Sequence, residues 1–282
     1  MTNKNLDLMS TSELTNLFLN KELAAINSIK SQKSNITKVI NKIISKIKSG
    51  GRMIYVGAGT SGRLGILDAV ECKPTFSTDL FLGIIAGGKE AVFMAKEGIE
   101  DNLALAAKDL KKINLTKNDV VVGISASGET PYTLSAIKFS KKKSALTIGI
   151  TTNPKSTLVK ISNYKITPDI KDEIIAGSSR LSSGTAQKII LNMLSSISMI
   201  KSGKIYENLM IDVQPTNKKL IKRAISIISI ICKIPLNKAS SLFTKAKKNT
   251  KAAIVMHYKK CDLSTALKLL KVTKSDLRKI IG

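Results

Sequence analysis

Residues 53–64, MIYVGAGTSGRL, decide the fold class of this 282-residue chain. The segment begins with four apolar residues, Met53 to Val56, as expected for a strand that is covered on both faces of a sheet. A glycine-rich turn follows, and a helical pattern begins at Leu64. A short buried strand that enters a helix through a tight turn is typical of a βαβ unit. The segment therefore predicts an α/β domain.

The same alternation continues toward the C-terminus as far as Pro168. Segments such as Lys89 to Leu110 and Pro131 to Lys141 carry lysines opposite an apolar face and are predicted to be helical. Between the helical segments lie short, nearly continuous apolar runs, which predict four more strands: Phe81 to Ala86, Val120 to Ser125, Ala145 to Thr151 and Tyr164 to Thr167. The expected architecture is a doubly wound parallel sheet.

Helical patterns flank this predicted sheet. Ser12 to Lys48 indicates two helices that are separated near Ser31, and Thr185 to Ser202 indicates one long apolar helix. From about Asn217 the pattern predicts three or four amphipathic helices. We predict an N-terminal helical segment over residues 1–42, the α/β domain over 43–206 and a small C-terminal helical domain over 207–282.

The net charge of +26 raises nucleic acid or another anionic surface as a partner. Only five of the 46 basic residues are arginine, although base readout and bidentate phosphate recognition depend heavily on that residue. The lysines are also spread along the chain, with no concentrated patch. We interpret them as lysines on solvated faces and do not predict nucleic-acid binding.

Cysteine and histidine usage argues against a disulfide framework and against a structural metal. Cys72, Cys232 and Cys261 are odd in number and widely scattered, as reduced thiols would be. The single histidine, His257, is interpreted as a partly buried helix residue, because no cysteine pair has zinc-ligand spacing. Residues 1–8 are polar, and no run approaches the roughly 20 apolar residues that span a bilayer. We expect a cytoplasmic protein without metal or membrane segment.

The turn after the first predicted strand has the composition of an anion-binding loop. Its glycines let the backbone approach a ligand, and free amides at a helix N-terminus attract an anion. Gly57, Gly59 and Gly62 also satisfy the G-x-G-x-x-G pattern of dinucleotide-binding proteins. Those proteins carry an acidic residue at the end of the second strand, whereas the second predicted strand here ends in Ala86-Gly87-Gly88. This difference argues against NAD.

A second loop, residues 125–131 (SASGETP), follows the third predicted strand. Its hydroxyl groups and backbone amides can donate several hydrogen bonds to a phosphate monoester without a metal. Neither a P-loop lysine nor a magnesium-binding set accompanies it, so a sugar phosphate suits the loop better than ATP. For this loop alone, the simpler interpretation is that Ser127 and Thr130 cap a helix. Two such loops at the carboxyl ends of parallel strands favour a ligand site.

Four longer segments are distinctive in combination. They are GRMIYVGAGTSGRLGILDAVECKPTF (Gly51 to Phe76), IAGGKEAVFMAKEGIEDN (Ile85 to Asn102), VVVGISASGETPYT (Val120 to Thr133) and GSSRLSSGTAQKIILNMLSSISMIKSGKIYENLMIDV (Gly177 to Val213). Together they resemble the N-acetylmuramic acid 6-phosphate etherases of the sugar isomerase domain class. The resemblance covers nearly the whole chain from about Leu8.

This resemblance implies a flavodoxin-like sugar isomerase domain that works as a homodimer without a cofactor. It implies a lyase that cleaves the D-lactyl ether of N-acetylmuramic acid 6-phosphate, by elimination and then water addition. The products are N-acetylglucosamine 6-phosphate and D-lactate, in cell-wall amino-sugar recycling. The family pattern makes Glu71 the acid and Glu100 the base. It places Ser61, Ser125, Ser127 and Thr130 at phosphate-loop positions, and it implies that the sugar site is lined by Ser178, Ser179 and Lys188.

Two carboxyl groups suit this chemistry. In the open-chain sugar the C1 aldehyde acidifies the C2 proton, so one carboxylate can remove it while a carboxylic acid protonates the departing ether oxygen. Glu71 must then be protonated while Glu100 is ionised, which requires different environments for the two groups. The substrate supplies its own electron sink, and its phosphate serves as a remote handle. Neither metal nor pyridoxal is needed.

Some features leave alternatives open. Glu71 lies one helical turn from Asp68, and Glu100 lies one turn from Glu97, so either glutamate could belong to a charged surface face of a helix. The chain also departs from the family pattern. A common arginine, lysine and proline are replaced by Glu129, Ser182 and Lys73, and the family's N-terminal motif is not recognisable before Leu8.

Two other functions fit the same predicted fold. One is a non-catalytic sugar-phosphate sensor that regulates a partner protein or a promoter; the altered loops and the basic charge motivate it. The other is an aldose-ketose isomerase, which fits the fold but not the segments around Glu71 and Glu100. Ligand binding without turnover would favour the sensor, and a ketose phosphate product would favour the isomerase.

Overall fold

The computed structural model describes residues 5–213, 215, 217–273 and 276–282. The strands are β1 (Met53–Gly57), β2 (Phe81–Ile85), β3 (Val120–Ile124), β4 (Leu146–Ile150), β5 (Tyr164–Ile166), β6 (Ile205–Tyr206) and β7 (Leu209–Met210). The helices are α1 (Thr11–Lys30), α2 (Lys33–Lys48), α3 (Gly59–Phe76), α4 (Glu90–Phe93), α5 (Leu103–Lys112), α6 (Pro131–Lys142), α7 (Thr157–Ile161), α8 (Ser182–Ile200), α9 (Lys218–Cys232), α10 (Leu236–Lys245), α11 (Thr250–Lys259), α12 (Leu263–Val272) and α13 (Arg278–Ile281).

The chain divides into two compact units. The first comprises the chain up to Val70 together with Leu80–Ser195, and the second comprises Glu71–Asp79 together with Ser196–Gly282. Two helices, α3 and α8, contribute residues to both units. The division into residues 1–42, 43–206 and 207–282 stays a prediction.

The first unit contains a five-stranded sheet in the order β2-β1-β3-β4-β5. Every strand pair in it is parallel. The five strands begin and end within a residue or so of the predicted ones, which confirms the doubly wound sheet expected from the sequence. Order 2-1-3-4-5 is the flavodoxin-like arrangement, whose chain direction across the sheet reverses between β1 and β3.

The apolar runs form strands because the sheet buries both of their faces. All five residues of β1 and of β3 are buried, and helix α6 adds Tyr132 and Ile137 to the same core. Full burial of a large apolar side chain contributes about 1.5–3 kcal/mol. At the amino ends of β1 and β3, Arg52 and the buried Asp119 form an ion pair at 2.9 Å. The buried sheet thus holds the carboxyl ends of β1 and β3 side by side, where Gly57 pairs with Ile124.

The helices before the sheet agree with the sequence pattern. Helix α1 begins at a capping box, in which Ser10 and Glu13 satisfy each other's backbone amides. It ends at Lys30, and α2 begins at Lys33, so the predicted separation near Ser31 is confirmed.

The prediction of a helical segment over Lys89 to Leu110 is wrong in its middle. Helix α4 ends at Phe93, a 3-10 turn covers Ile99–Asp101, and α5 begins only at Leu103. Met94 is extended, and Gly98 has a φ of 73°, a left-handed conformation that ends helical hydrogen bonding. The apolar residues of the segment recur at helical spacing, but the extended Met94 and the left-handed Gly98 interrupt the helix. Glu100 therefore lies in a turn rather than on a helix face.

The second unit is mostly helical, as predicted for the C-terminal part of the chain, but its described residues form five helices after Asn217 and not the three or four expected. Helices α9 to α13 enclose their own apolar core, which includes Ile228, Phe243 and Ile254. The short antiparallel pair β6–β7 was not predicted. Lys251 is buried in this unit and donates to Asp212 and to the Gly203 carbonyl oxygen, while burial lowers its pKa. A buried polar network therefore joins the second unit's helices to its connecting segments.

The cysteine and histidine predictions can be compared with the described residues. Cys72, Cys232 and Cys261 form no disulfide within the described ranges, and burial raises the pKa of Cys232 to about 11. His257 is half-buried in α11. Within the described ranges, no three potential metal-ligating side chains cluster together. No described helix has both the length and the apolar character that a bilayer crossing needs.

Candidate active site

The two loops singled out from the sequence lie at the reversal point of the sheet. Because Gly57 is paired with Ile124, the residues that follow β1 and β3 emerge next to each other at one edge. The first loop enters α3 at Gly59, and the second enters α6 at Pro131. Open α/β sheets bind ligands at the carboxyl ends of their strands where the strand order reverses. This edge is therefore the candidate site.

Ser125 is the centre of the second loop. It is buried, its Oγ lies 2.8 Å from Thr130 Oγ1 and 3.3 Å from Ser127 Oγ, and it accepts the Gly128 amide at 3.0 Å. Ser127 Oγ accepts the amide of Glu129 at 3.2 Å. The loop therefore brings three of the predicted phosphate-binding hydroxyl groups together.

Thr130 stands at the N-cap position of α6 but does not cap the helix with its side chain. Its hydroxyl bonds to Ser125, and within the described residues it accepts no amide of α6. Pro131 follows at the first helical position, where the missing amide is not needed. The prediction that the Thr130 side chain caps a helix is thus wrong. Its hydroxyl instead forms a hydrogen bond within the loop.

Gly128 closes this loop in a conformation that only glycine adopts readily. Its φ is 71°, and a Cβ at this position would lie 2.2 Å from Ser156 Oγ. Ser156 is buried, and its Oγ has no hydrogen-bond partner among the described residues. The glycine therefore allows a close approach between the loop and the residue that precedes α7.

Glu129, which replaces a common arginine, caps a neighbouring helix. Its carboxylate accepts the Thr157 amide at 2.7 Å, at the first residue of α7. This amide hydrogen bond lowers the pKa of Glu129. An anionic side chain at a helix N-terminus is stabilised by the free amides and by the helix dipole. Glu129 thus has a structural role beside the loop.

The first loop carries Ser61 in the first turn of α3. Ser61 is half-buried, and its Oγ donates to Gln187 Oε1 on α8 at 2.9 Å. Gln187 is buried, and sequence reasoning did not single it out. The two residues are 126 positions apart, so no local pattern could have indicated their contact.

A cleft of about 570 Å³ opens beside the second loop. Ser127 and Ser179 both line it, so the structure joins one predicted phosphate-loop residue and one predicted sugar-site residue. Asp169, Lys171, Asp172 and Glu173 line the cleft from the segment before α8. Glu173 also accepts the amides of Ser182 and Ser183 at 2.9 Å each and so caps α8. This acidic segment was not predicted.

Ser182, which replaces a common lysine, is buried at the start of α8. Its hydroxyl lies 3.3 Å from Glu22 Oε1 of α1. The other carboxylate oxygen of Glu22 is buried and unpartnered within the described part of the chain. Glu22 is thus only partly satisfied among the described residues. Lys73, the third departure, pairs with Asp79 on the surface of the second unit at 2.7 Å.

The remaining predicted site residues are more scattered. Ser178 is half-buried in the segment before α8, and Lys188 is exposed on α8. Neither Ser178 nor Lys188 is among the described residues that line the cleft. Glu100 is half-buried in the 3-10 turn of the first unit, and Glu71 is an exposed residue of α3 that belongs to the second unit. The roles of both glutamates stay predictions.

Asp68 is a further buried polar residue that the sequence did not place. Its carboxylate accepts Tyr55 Oη at 2.6 Å, Asn192 Nδ2 at 2.6 Å and Ser195 Oγ at 3.1 Å. These donors come from β1 and α8, so Asp68 fixes α3 between the strand and the helix within the first unit. Its position within the apolar stretch Leu64 to Val70 is the sequence signal for this role.

Curated relatives establish the family of the chain. An N-acetylmuramic acid 6-phosphate etherase of Francisella philomiragia is 46% identical over 269 residues, which cover 95% of this chain and 92% of the relative. The chain belongs to the N-acetylmuramic acid 6-phosphate etherase family. A Staphylococcus aureus etherase of the same name is 51% identical over 223 residues, covering 78% of this chain and 75% of that protein. The resemblance stated from the sequence motifs is thereby confirmed.

Family models and solved structures agree on the fold. The model described as the glucokinase regulatory protein N-terminal SIS domain matches residues 35–141, and the SIS domain model matches residues 102–197. A phosphoheptose isomerase from Francisella tularensis has a TM-score of 0.54 at 18% identity, covering 68% of this chain and all of that one. An Escherichia coli protein solved as a ligand complex has a TM-score of 0.51 at 24% identity, covering 71% and 97%. These structures confirm the sugar isomerase fold.

Proposed function

We propose that the chain is a lyase that cleaves the D-lactyl ether of N-acetylmuramic acid 6-phosphate, giving N-acetylglucosamine 6-phosphate and D-lactate. The observation that carries this proposal is the 46% identity to an etherase across 95% of the chain. The hydroxyl groups gathered around Ser125 at the sheet's reversal point support it, because they can hold a sugar phosphate. No comparison favours the non-catalytic sensor.

In the proposed mechanism the phosphate is the handle and the reaction occurs at C2 and C3 of the open-chain sugar. The loop that carries Ser125, Ser127 and Thr130 receives the phosphate, while Ser179 and the cleft beside it receive the sugar. Glu100 removes the C2 proton, and Glu71 protonates the ether oxygen as the bond between C3 and that oxygen breaks. Water then adds to the unsaturated aldehyde. Binding energy at the phosphate is used to position the reacting carbons.

We further propose that the enzyme is a cytoplasmic homodimer. Helix α1 supports dimerisation, because Leu19, Leu23 and Ile26 are 59%, 56% and 39% exposed at positions that share one helix face. A contiguous exposed apolar face is typical of a protein interface. Analytical ultracentrifugation tests this: we expect a dimer of about twice the 30.5 kDa chain mass. A monomer at micromolar concentration would contradict it.

The decisive experiment is an assay of D-lactate released from N-acetylmuramic acid 6-phosphate by purified protein. We expect stoichiometric lactate and N-acetylglucosamine 6-phosphate. Absence of lactate at high enzyme concentration would refute the proposed function. Tight binding of the sugar phosphate without turnover would then indicate the sensor, and a ketose phosphate product would indicate the isomerase.

A further inference from the structure

Gln187 joins the first phosphate-loop residue to the interior of the first unit. Its side chain is only 1% exposed, and its Oε1 accepts the Ser61 hydroxyl at 2.9 Å. Its Nε2 is buried and has no hydrogen-bond partner among the described residues. A buried amide nitrogen without an acceptor is costly, by about 1–3 kcal/mol.

The direction of this hydrogen bond decides what Ser61 can do. A hydroxyl has one hydrogen to donate and two lone pairs to accept with. While Ser61 donates to Gln187 Oε1, it has no hydrogen left for the acceptor oxygens of a phosphate. A half-turn of the amide exchanges Oε1 and Nε2, so that Nε2 donates to Ser61 Oγ and the Ser61 hydrogen becomes free to face a ligand.

We propose that Gln187 is a positioning residue that sets the hydrogen-bond polarity of Ser61 toward the phosphate of the substrate. This inference rests on the proposed function in taking a sugar phosphate as the ligand. With ligand bound, Nε2 donates to Ser61 Oγ, and Ser61 donates to a phosphate oxygen. Binding thus gives Nε2 an acceptor, and Oε1 takes the buried position that Nε2 leaves. The same change places a neutral donor against the anion.

The surroundings of Gln187 support this role. The first turn of α8 packs on the first turn of α3, since a Cβ on Gly184 would lie 3.6 Å from Thr60 Cγ2. Ser183, one helical turn before Gln187, is buried and lines the cleft. Residues one turn apart share a helix face, so Gln187 lies on the face that Ser183 presents toward the cleft. Gln187 therefore lies close to the part of the cleft that Ser183 lines.

A double-mutant cycle tests the proposal with N-acetylglucosamine 6-phosphate as the probe in titration calorimetry. A hydrogen bond to a charged group corresponds to about tenfold or more in affinity. We expect Ser61→Ala and Gln187→Met each to weaken binding by about tenfold, and the double variant to be no weaker than either one. Gln187→Glu, which at neutral pH accepts but does not donate, is expected to weaken binding at least as much. In lactate assays KM should rise while kcat changes little.

Thr133→Val is the matched control, because Thr133 is also fully buried with an Oγ that lacks a partner in the described residues. This variant should bind the probe like the wild type. Additive losses in the double variant, or equal losses of kcat and kcat/KM in Gln187→Met, would overturn the inference. Wild-type lactate release with an unchanged KM in Gln187→Met would refute this inference alone. If Ser61→Ala and Gln187→Met weaken probe binding non-additively but the wild type releases no lactate, the proposed function is refuted and this inference is not.

Discussion

Ser125 Oγ lies 2.8 Å from Thr130 Oγ1, across the loop between β3 and α6. The same oxygen accepts the Gly128 amide at 3.0 Å, so one buried hydroxyl fixes both the middle and the end of the loop. Hydroxyl groups that are already held in place lose little rotational freedom when a ligand binds. The loop is therefore preorganised for a phosphate by its own side chains.

Removal of this central hydroxyl should impair phosphate binding. We expect Ser125→Ala to weaken binding of N-acetylglucosamine 6-phosphate by about tenfold or more, because the Gly128 amide loses its acceptor and Thr130 loses its partner. Calorimetric titration measures the change. Ser49→Ala, at an exposed position before β1, is the control and should bind like the wild type. Equal affinities of Ser125→Ala and wild type would contradict this role.

The close approach at Gly128 predicts a large effect on stability. Gly128→Ala must place a Cβ 2.2 Å from Ser156 Oγ as well as adopt a left-handed backbone. Gly50→Ala is the matched control, because Gly50 has a φ of 81° but no neighbouring atom within 4 Å. We expect about 1–2 kcal/mol of destabilisation for Gly50→Ala. Overpacking should add about 1–3 kcal/mol for Gly128→Ala. Urea unfolding measures both, and equal losses would show that the Ser156 contact is unimportant.

Asp119 should make the stability of the protein sensitive to acid. Burial alone would raise the pKa of Asp119, but hydrogen bonds from Arg52 and from the Thr116 amide lower it below the ordinary value. A carboxyl group with a lower pKa in the folded state stabilises the fold above its unfolded pKa of about 3.9. That contribution is lost as the pH falls through the folded pKa. Urea unfolding at pH 7, 5, 4 and 3 should show it.

The matched variant is Asp119→Asn, which cannot titrate. At pH 7 we expect it to be less stable than wild type by about 1–3 kcal/mol, since it weakens the hydrogen bonds to a charged partner. The difference from wild type should shrink between pH 5 and pH 3. A difference that stays constant with pH would show that Asp119 does not titrate with folding.

The proposed acid and base can be separated by their isotope behaviour. We expect Glu100→Gln to abolish both lactate release and exchange of the C2 proton with solvent deuterium, because the base starts the reaction. Glu71→Gln should block lactate release through loss of the acid. Lactate assays and proton NMR in deuterium oxide measure the two steps. Glu97→Gln, at an exposed position near Glu100, is the control and should keep wild-type activity. Continued exchange in Glu100→Gln would reassign the base.

Hydrophobic pattern predicted the sheet well and the segment after β2 less well. The strands are covered on both faces, so continuous apolar runs such as Val120 to Ile124 have one clear structural meaning. In the segment from Lys89 to Leu110, helical spacing was overridden by the extended Met94 and the left-handed Gly98. The spacing of apolar residues carries no information about such local backbone conformations. Because of them, Glu100 lies in a turn.

By itself the sequence determined the fold class, the position of both loops and, through four motif segments, the family. The fold class and the loops depend on local composition and on short spacing, which a single chain displays directly, whereas the family was indicated by resemblance. Only the tertiary structure decided that Ser61 contacts Gln187, that three donors from β1 and α8 hold Asp68, and that Glu129 caps α7. Such contacts join residues that are distant in sequence. They are fixed by how the elements pack and by the need of each buried polar group for a partner.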